Sequence, residues 1–256
     1  MRLAHISDLH LIAMAEAPGI LRADTVARAD ALMADLSGFP GLDLVVITGD
    51  NVNDARAGEY AVLKQVLAGL RVPFVMVPGN HDDRAALRAL VPDRGYPDAE
   101  RLYHVWQQGD VRVIALDTLA EGEVGGRLLA PQLGWLECVL ERPFDGHTLI
   151  ALHHPPCASA MGRLDGAILI EGNAALQAML DRQPRPVTLL CGHLHRPFQA
   201  LFGRSLVSAA TSTAFQLALA LDAAEEPPVV DEPYHYAVHI LGADGGHVIH
   251  RRFPGL

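Results

Sequence analysis

The chain has 256 residues, half of them hydrophobic, enough to bury about three quarters of its unfolded surface in one large domain. Its formal charge of −10 excludes a sequence-independent grip on duplex nucleic acid, which needs a basic patch to neutralise phosphates. An uninterrupted apolar run of about 18 residues, the length that spans a bilayer, is absent from the sequence.

In chain order, the first predicted strand is residues 3–6, leading into Asp8-Leu9-His10. A helix follows that Asp24 can cap, with Val26, Ala29, Leu32, Met33 and Leu36 on one face. The strand at 44–48 leads into Gly49-Asp50, and a helix around 59–67 buries Tyr60, Leu63, Val66 and Leu67. The strand at 74–77 leads into Gly79-Asn80-His81-Asp82, and another strand spans 111–116. A helix opened by Pro131 carries Leu133, Leu136, Val139 and Leu140. The strand at 149–152 leads into His153-His154-Pro155-Pro156, and that at 187–190 into Gly192-His193-Leu194-His195. Beyond His195 the pattern changes to short paired strands with turns at Gly203-Arg204 and Asp244-Gly245-Gly246. Residues 223–233 read as an acidic surface excursion before a final hairpin of 234–241 with 247–253. Strands alternating with amphipathic helices predict an α/β fold in a single domain, 1–256, with a hairpin region at about 222–256.

Each His/Asp/Asn cluster follows a predicted buried strand, and strand ends on one sheet edge lie close together in space. Taken singly they differ in weight. Asp-x-His is common in loops, and Gly-Asp is an ordinary turn. Gly-Asn-His-Asp and His-His-Pro-Pro are more specific. Gly-His-x-His is stronger again, because extended residues i and i+2 project to one side. All five in this order are hard to explain as solvated turns, and carboxylate, imidazole and amide oxygen together suit two divalent ions.

These five blocks resemble the calcineurin-like metallophosphoesterase superfamily. Leu152-His153-His154-Pro155-Pro156, Gly49-Asp50-Asn51-Val52-Asn53 and Ser212-Thr213-Ala214-Phe215-Gln216 are similar to its bacterial cyclic-nucleotide phosphodiesterase and glycerophosphodiesterase branch. The resemblance implies a four-layer αββα sandwich of two mixed sheets with a dinuclear centre at the strand ends. It implies Asp8, His10, Asp50 and His195 around one metal, and Asp50, Asn80, His153 and His193 around the other. Where many relatives place a carboxylate three residues after the Gly-Asp aspartate, this chain has Asn53, so a charge relay to His81 would have to come from Asp54 or Asp82.

The expected cofactors are two divalent transition metal ions, Fe, Mn, Zn or Co. Two such ions, two carboxylates and one hydroxide sum to +1, matched to a singly charged phosphodiester. The expected reaction is in-line attack of a metal-bridging hydroxide on phosphorus in 3',5'-cyclic nucleotides or glycerophosphodiesters. His81 is the expected catalytic residue, as acid or phosphoryl hydrogen-bond donor, with a structural brace as its alternative. Asn80, His81 and His154 are the expected substrate contacts, His154 either orienting His153 or facing the substrate. The loops 120–126 and 158–172 are expected to wall the pocket, and Arg84 and Arg196 are the nearest cations. His5, His104, His147, His235, His239, His247 and His250 lack ligand spacing and are expected to pack or face solvent. Rival readings are a phosphomonoesterase or nucleotide hydrolase, and a scaffold that kept the fold and lost catalysis.

A small phosphodiester is the expected partner, with no duplex nucleic acid and no membrane, and the chain is expected to form a homo-oligomer. Residues 1–6 run straight into the first cluster, leaving no removable signal peptide. Cys138, Cys157 and Cys191 lack CxxC spacing and read as reduced thiols. The expected location is the cytoplasm.

Overall fold

A computed structural model describes residues 1–13, 19–222 and 225–255. The first half contains β1 (Arg2–Ile6), α1 (Thr25–Gly38), β2 (Leu44–Ile47), α2 (Ala57–Leu67), β3 (Phe74–Met76), α3 (Arg84–Leu90), β4 (His104–Gln108) and β5 (Val111–Ala115). Then come β6 (Gly126–Arg127), α4 (Ala130–Leu140), β7 (His147–Ala151), β8 (Leu169–Glu171), α5 (Asn173–Asp181), β9 (Thr188–Cys191), β10 (Gln199–Phe202) and β11 (Ser205–Ala209). The chain closes with β12 (Gln216–Leu217), β13 (Val229–Val230), β14 (Tyr236–Leu241) and β15 (His247–Arg252). Residues 223–224 of the expected excursion lie outside the described residues.

Two mixed sheets form the centre. One has the order β15-β14-β1-β2-β3 and the other β10-β11-β9-β7-β5-β4. Strands β1, β2 and β3 run parallel, as do β5, β7, β9 and β11, while β14–β15, β10–β11 and β4–β5 are antiparallel hairpins.

The side-chain period of two assigns each strand residue to a layer. Ala4, Ile6, Val45 and Ile47 meet Leu32, Leu36 and Leu63 of α1 and α2 on the outer face of the first sheet. Leu3, Leu44, Val46 and Val75 point inward against Val111, Val113, Leu149 and Leu190 of the second sheet. Ile114, Ile150 and Leu189 face outward against Leu136 and Leu140 of α4 and Leu176 and Leu180 of α5. Three apolar interfaces separate four layers, so the fold is the expected αββα sandwich, and near-continuous apolar strands are its consequence.

Local details differ from the sequence reading. Asp24 precedes α1 without capping it, because its Oδ1 takes the Arg22 guanidinium at 3.0 Å. Helices α3 and α5 and the edge strand β4 were not expected from the pattern; α3 has a single fully buried residue, Leu87, and its real start signal is Asp83, which accepts from the Ala86 N–H at 2.8 Å.

Candidate metal centre

The parallel strands β1, β2, β3, β7 and β9 all point their C-terminal ends to one edge of the sandwich. Asp8 and His10 follow β1, Asp50 follows β2, Asn80 follows β3, His153 follows β7, and His193 and His195 follow β9. Both sheets therefore contribute, and backbone bonds stitch the loops together: the Asp8 and His10 N–H groups donate to the Gly49 and Asp50 carbonyls, and the Gly192 N–H to the His153 carbonyl. Contact between loops is close enough to forbid side chains. A Cβ on Gly79 would collide with Asp50 Oδ1, and one on Gly192 with Ser7 Oγ.

Among the described residues seven non-glycine residues have positive φ, and five of them are Asp8, His10, Asp50, His193 and His195. Left-handed backbone costs an L-residue energy and persists where surrounding structure imposes it, which marks functional sites. It also corrects the expectation that Gly-His-x-His works as an extended pair: His193 and His195 sit on left-handed bends and reach different groups of ligands.

In the first group, ligand atoms of Asp8, His10, Asp50 and His195 lie within 4.8 Å of one another, all buried. His10 Nε2 is 3.0 Å from His195 Nε2 and 3.4 Å from Asp50 Oδ2, and His195 Nε2 is 3.5 Å from Asp8 Oδ1. In the second, His153 Nε2 is 3.3 Å from the same Asp50 Oδ2, 3.1 Å from Asn80 Oδ1 and 3.2 Å from His193 Nδ1.

The remaining nitrogen of each imidazole is committed. His10 Nδ1 donates to Asn53 Oδ1 at 3.2 Å, His153 Nδ1 to the Thr48 carbonyl at 2.7 Å, and His195 Nδ1 to the Phe215 carbonyl at 3.1 Å. His193 is hydrogen-bonded to the Ala167 backbone. With those protons placed, His10 Nε2 and His195 Nε2 present lone pairs to each other at 3.0 Å, an arrangement that repels unless a cation lies between. Metal–nitrogen bonds of about 2.0–2.1 Å place neighbouring ligand atoms roughly 3.0–3.4 Å apart, so the donor set fits a cation in each group.

Burial lowers the His10 imidazole to about 4 against the pull of Asp50, and lowers His193 to about 3. Burial would lower His153 too, yet the Asp50 and Asp8 carboxylates outweigh it and raise the group. Neutral imidazole is the ligand form, and carboxylate charge concentrated on one side of the site is what divalent ions offset.

The segment 212–216 supports the first group from behind. Ser212 Oγ donates to the Asp8 carbonyl at 2.7 Å, and the Phe215 ring stacks on His195 at 3.9 Å between centroids. His81 lies beside both groups: its N–H donates to Asp50 Oδ1 at 2.9 Å, and its Nδ1 donates to the Asn53 carbonyl at 2.6 Å. Neither Asp54 nor Asp82 serves it. Asp54 accepts from the Asn53 amide, and Asp82 is buried under the N–H groups of Gly79, Asn51 and Val52. Asn53 was missed as a functional residue; it holds His10 with its side chain and His81 with its backbone.

His154 departs from its expected place. It is fully buried, with Nδ1 taken by Thr118 Oγ1 at 2.8 Å and Nε2 by the Val124 carbonyl at 2.9 Å. Although it stands near His153 and His193, it has no nitrogen left for substrate and packs instead as a hub for the loop 120–126.

The ligands floor a cleft of about 670 Å³ lined also by Asn53, Asp54, His81, Val124, Leu164 and Phe215. Val124 and Leu164 belong to the two loops expected to wall it. Arg84 and Arg196 do not line it: Arg84 forms a bidentate pair with buried Asp117, and Arg196 pairs with Glu232 at 2.8 Å. Among the described residues no helix is long and apolar enough to cross a membrane.

Fold and site together define a metal-dependent hydrolase of the αββα class, with both carboxylates from the first sheet and imidazoles from the two. The calcineurin-like phosphoesterase family model matches residues 1–197, and the chain belongs to that family. It is 32% identical over 223 residues to a glycerophosphodiester phosphodiesterase, GpdQ, of Enterobacter lignolyticus, spanning 85% of this chain and 79% of that one. It is 37% identical over 225 residues to a cAMP/cGMP dual specificity phosphodiesterase of Mycobacterium tuberculosis, spanning 83% and 67% respectively. Among solved structures, a dimetal phosphatase from Danio rerio shares the fold with a TM-score of 0.74 at 16% identity, over 99% of this chain and 96% of the other.

Proposed function

We propose that this protein is a phosphodiesterase that hydrolyses small phosphodiesters with two divalent transition metal ions drawn from Fe, Mn, Zn or Co. One ion would be held by Asp8, His10, Asp50 and His195, the other by Asp50, Asn80, His153 and His193. The observation that carries the reading is Asp50 Oδ2, which stands 3.4 Å from His10 Nε2 and 3.3 Å from His153 Nε2 and so bridges the two groups. When bound, the ions supply Lewis-acid charge and a water acidic enough to attack phosphorus near neutral pH.

The chain's own residues do the rest. Asn53, Thr48 and Phe215 fix three imidazole tautomers, which keeps Nε2 of His10, His153 and His195 free as donors toward the ions. With Nδ1 held by the Asn53 carbonyl, His81 keeps Nε2 uncommitted at the cleft. There, when both ring nitrogens carry a proton, it gives one to the departing alkoxide or a hydrogen bond to a phosphoryl oxygen. Among the described residues no lysine or arginine lines the cleft, so a phosphomonoester dianion gains no cationic clamp and the diester is preferred. Relatives acting on glycerophosphodiesters and on cAMP or cGMP support the same reaction class. The free cysteines Cys138, Cys157 and Cys191 support a reducing, cytoplasmic setting.

The deciding experiment is turnover of the metal-reconstituted protein on cyclic AMP, glycerophosphoethanolamine and matched monoesters. Diester kcat/KM above the monoester value is expected; a monoester advantage at equal metal loading overturns the reading.

A further inference from the structure

Beside the metal ligands the cleft lining is strongly apolar, with Ile20, Leu21, Leu164, Phe215, Leu217 and Val229. Its residues come from distant parts of the chain and are held on purpose-built supports. Leu217 is paired opposite Val229 in the two-residue ladder of β12 and β13, and Phe215 is pinned flat by His195 at 3.9 Å with an interplanar angle of 24°. Ile20 is 58% and Val229 43% exposed. Apolar surface left in water is unfavourable for the free protein, and its placement beside an anion site calls for a covering ligand group. Among the described residues, the only charged side chains lining the cleft outside the two ligand groups and His81 are acidic, Asp54 and Glu226, paired with Arg56 at 3.2 Å and Arg163 at 3.4 Å.

We propose that the diester taken by this site carries one uncharged, bulky apolar arm seated against Ile20, Phe215, Leu217 and Val229, with the single phosphoryl charge over the metal ligands. The inference rests on the phosphodiesterase reading and narrows its substrate. A polyol arm would lose water from hydroxyls that this wall cannot hydrogen-bond. A second anionic group would gain nothing from the apolar residues, and Asp54 and Glu226, already in ion pairs, offer it no donor, so the apolar arm gains most from the contact.

The test uses three p-nitrophenyl alkyl diesters with benzyl, methyl or glycerol as the second arm. In each, water oxygen bonds to phosphorus, the bond to p-nitrophenolate breaks and one water proton passes to solvent, so the leaving group is constant and the arm alone varies. Benzyl is expected to exceed glycerol by about tenfold or more in kcat/KM, chiefly through KM. The Leu217→Ser, Val229→Ser double variant should bring that ratio close to one. On titration of the metal-loaded protein with dibenzyl phosphate, methyl resonances of Ile20, Leu217 and Val229 should shift while Val248, on β15, stays still. Equal benzyl and glycerol values, or a ratio that survives the double substitution, overturns the arm assignment and leaves the phosphodiesterase reading standing. No turnover of any of the three overturns both.

Discussion

Two histidine clusters occupy this sandwich, one at the strand ends and one between the sheets, and burial does not distinguish them. His153 and His195 at the edge are as enclosed as His5 and His239 in the interior. Partners and polarity do. In the interior, His247 Nδ1 is 3.2 Å from Thr188 Oγ1, His239 Nδ1 is 2.9 Å from His247 Nε2, and His5 Nε2 is 2.9 Å from Thr48 Oγ1. Each of these contacts can pair a donor with an acceptor, His5 Nδ1 and His239 Nε2 being left without a hydrogen-bond partner, and among the described residues no carboxylate is hydrogen-bonded to the three rings. At the edge, acceptor faces acceptor around Asp8 and Asp50, on backbone held at positive φ. Thr48 touches both clusters, giving its carbonyl to His153 and its hydroxyl to His5. Opposed lone pairs, carboxylates and left-handed backbone mark an ion site; buried histidine alone does not.

Breaking the edge cluster should have the largest effect. Asp50→Ala is expected to empty both metal positions and lower kcat by about 10⁴ or more, whereas His239→Gln should retain two metals per chain by elemental analysis. Equal metal loss in the two variants would erase the distinction between the clusters.

His81→Ala should keep both metals while losing about 10²–10⁴ in rate on a diester with a poor alkoxide leaving group. The deficit should shrink with p-nitrophenolate, which departs without a proton. If it is the same on both, His81 stabilises phosphoryl charge instead; metal loss would return it to a bracing role.

Asn53→Ala removes the acceptor that orients His10. Metal affinity at that position should weaken by about 10–100-fold, read by competition with a chelator, with the second position less affected. Equal weakening of both would place Asn53 at the centre as a whole.

The smallest effect concerns acid. Burial lowers His5 to about 3 and His104 to about 4. Native pKa values below the unfolded value of about 6.5 mean that the unfolded chain binds more protons. Stability is therefore full above that value and falls as pH drops from about 6.5 toward 4, by about 1.4 kcal/mol per unit for each such histidine. Urea midpoints at pH 7.5 and 5 should show the loss, and His104→Phe should make it shallower. An unchanged slope in that variant would remove His104 from the account.

The sequence by itself determined the α/β class, the strands that carry the site, and the convergence of Asp8, His10, Asp50, Asn80, His153, His193 and His195 at one edge. Apolar runs ended by Gly, Asp and His are local signals, and parallel strands bring such ends together. His154 shows the limit: the sequence prefers His153 as the ligand because it ends its strand directly and leaves His154 as a substrate contact, and only Thr118 and Val124, more than 25 residues away, remove it from the cleft. The weakly amphipathic α3 and the edge strand β4 were illegible because each presents few buried side chains to a periodic pattern. Tertiary structure alone decided what steers the ligands. Thr48 and Phe215 act on His153 and His195 through carbonyl oxygens that every residue possesses, as Asn53 does on His81, so these roles leave no mark on residue type; the Asn53 side chain on His10 is the exception. The apolar lining is silent for a related reason: Ile20, Leu217 and Val229 are ordinary surface hydrophobics until folding sets them around one cleft.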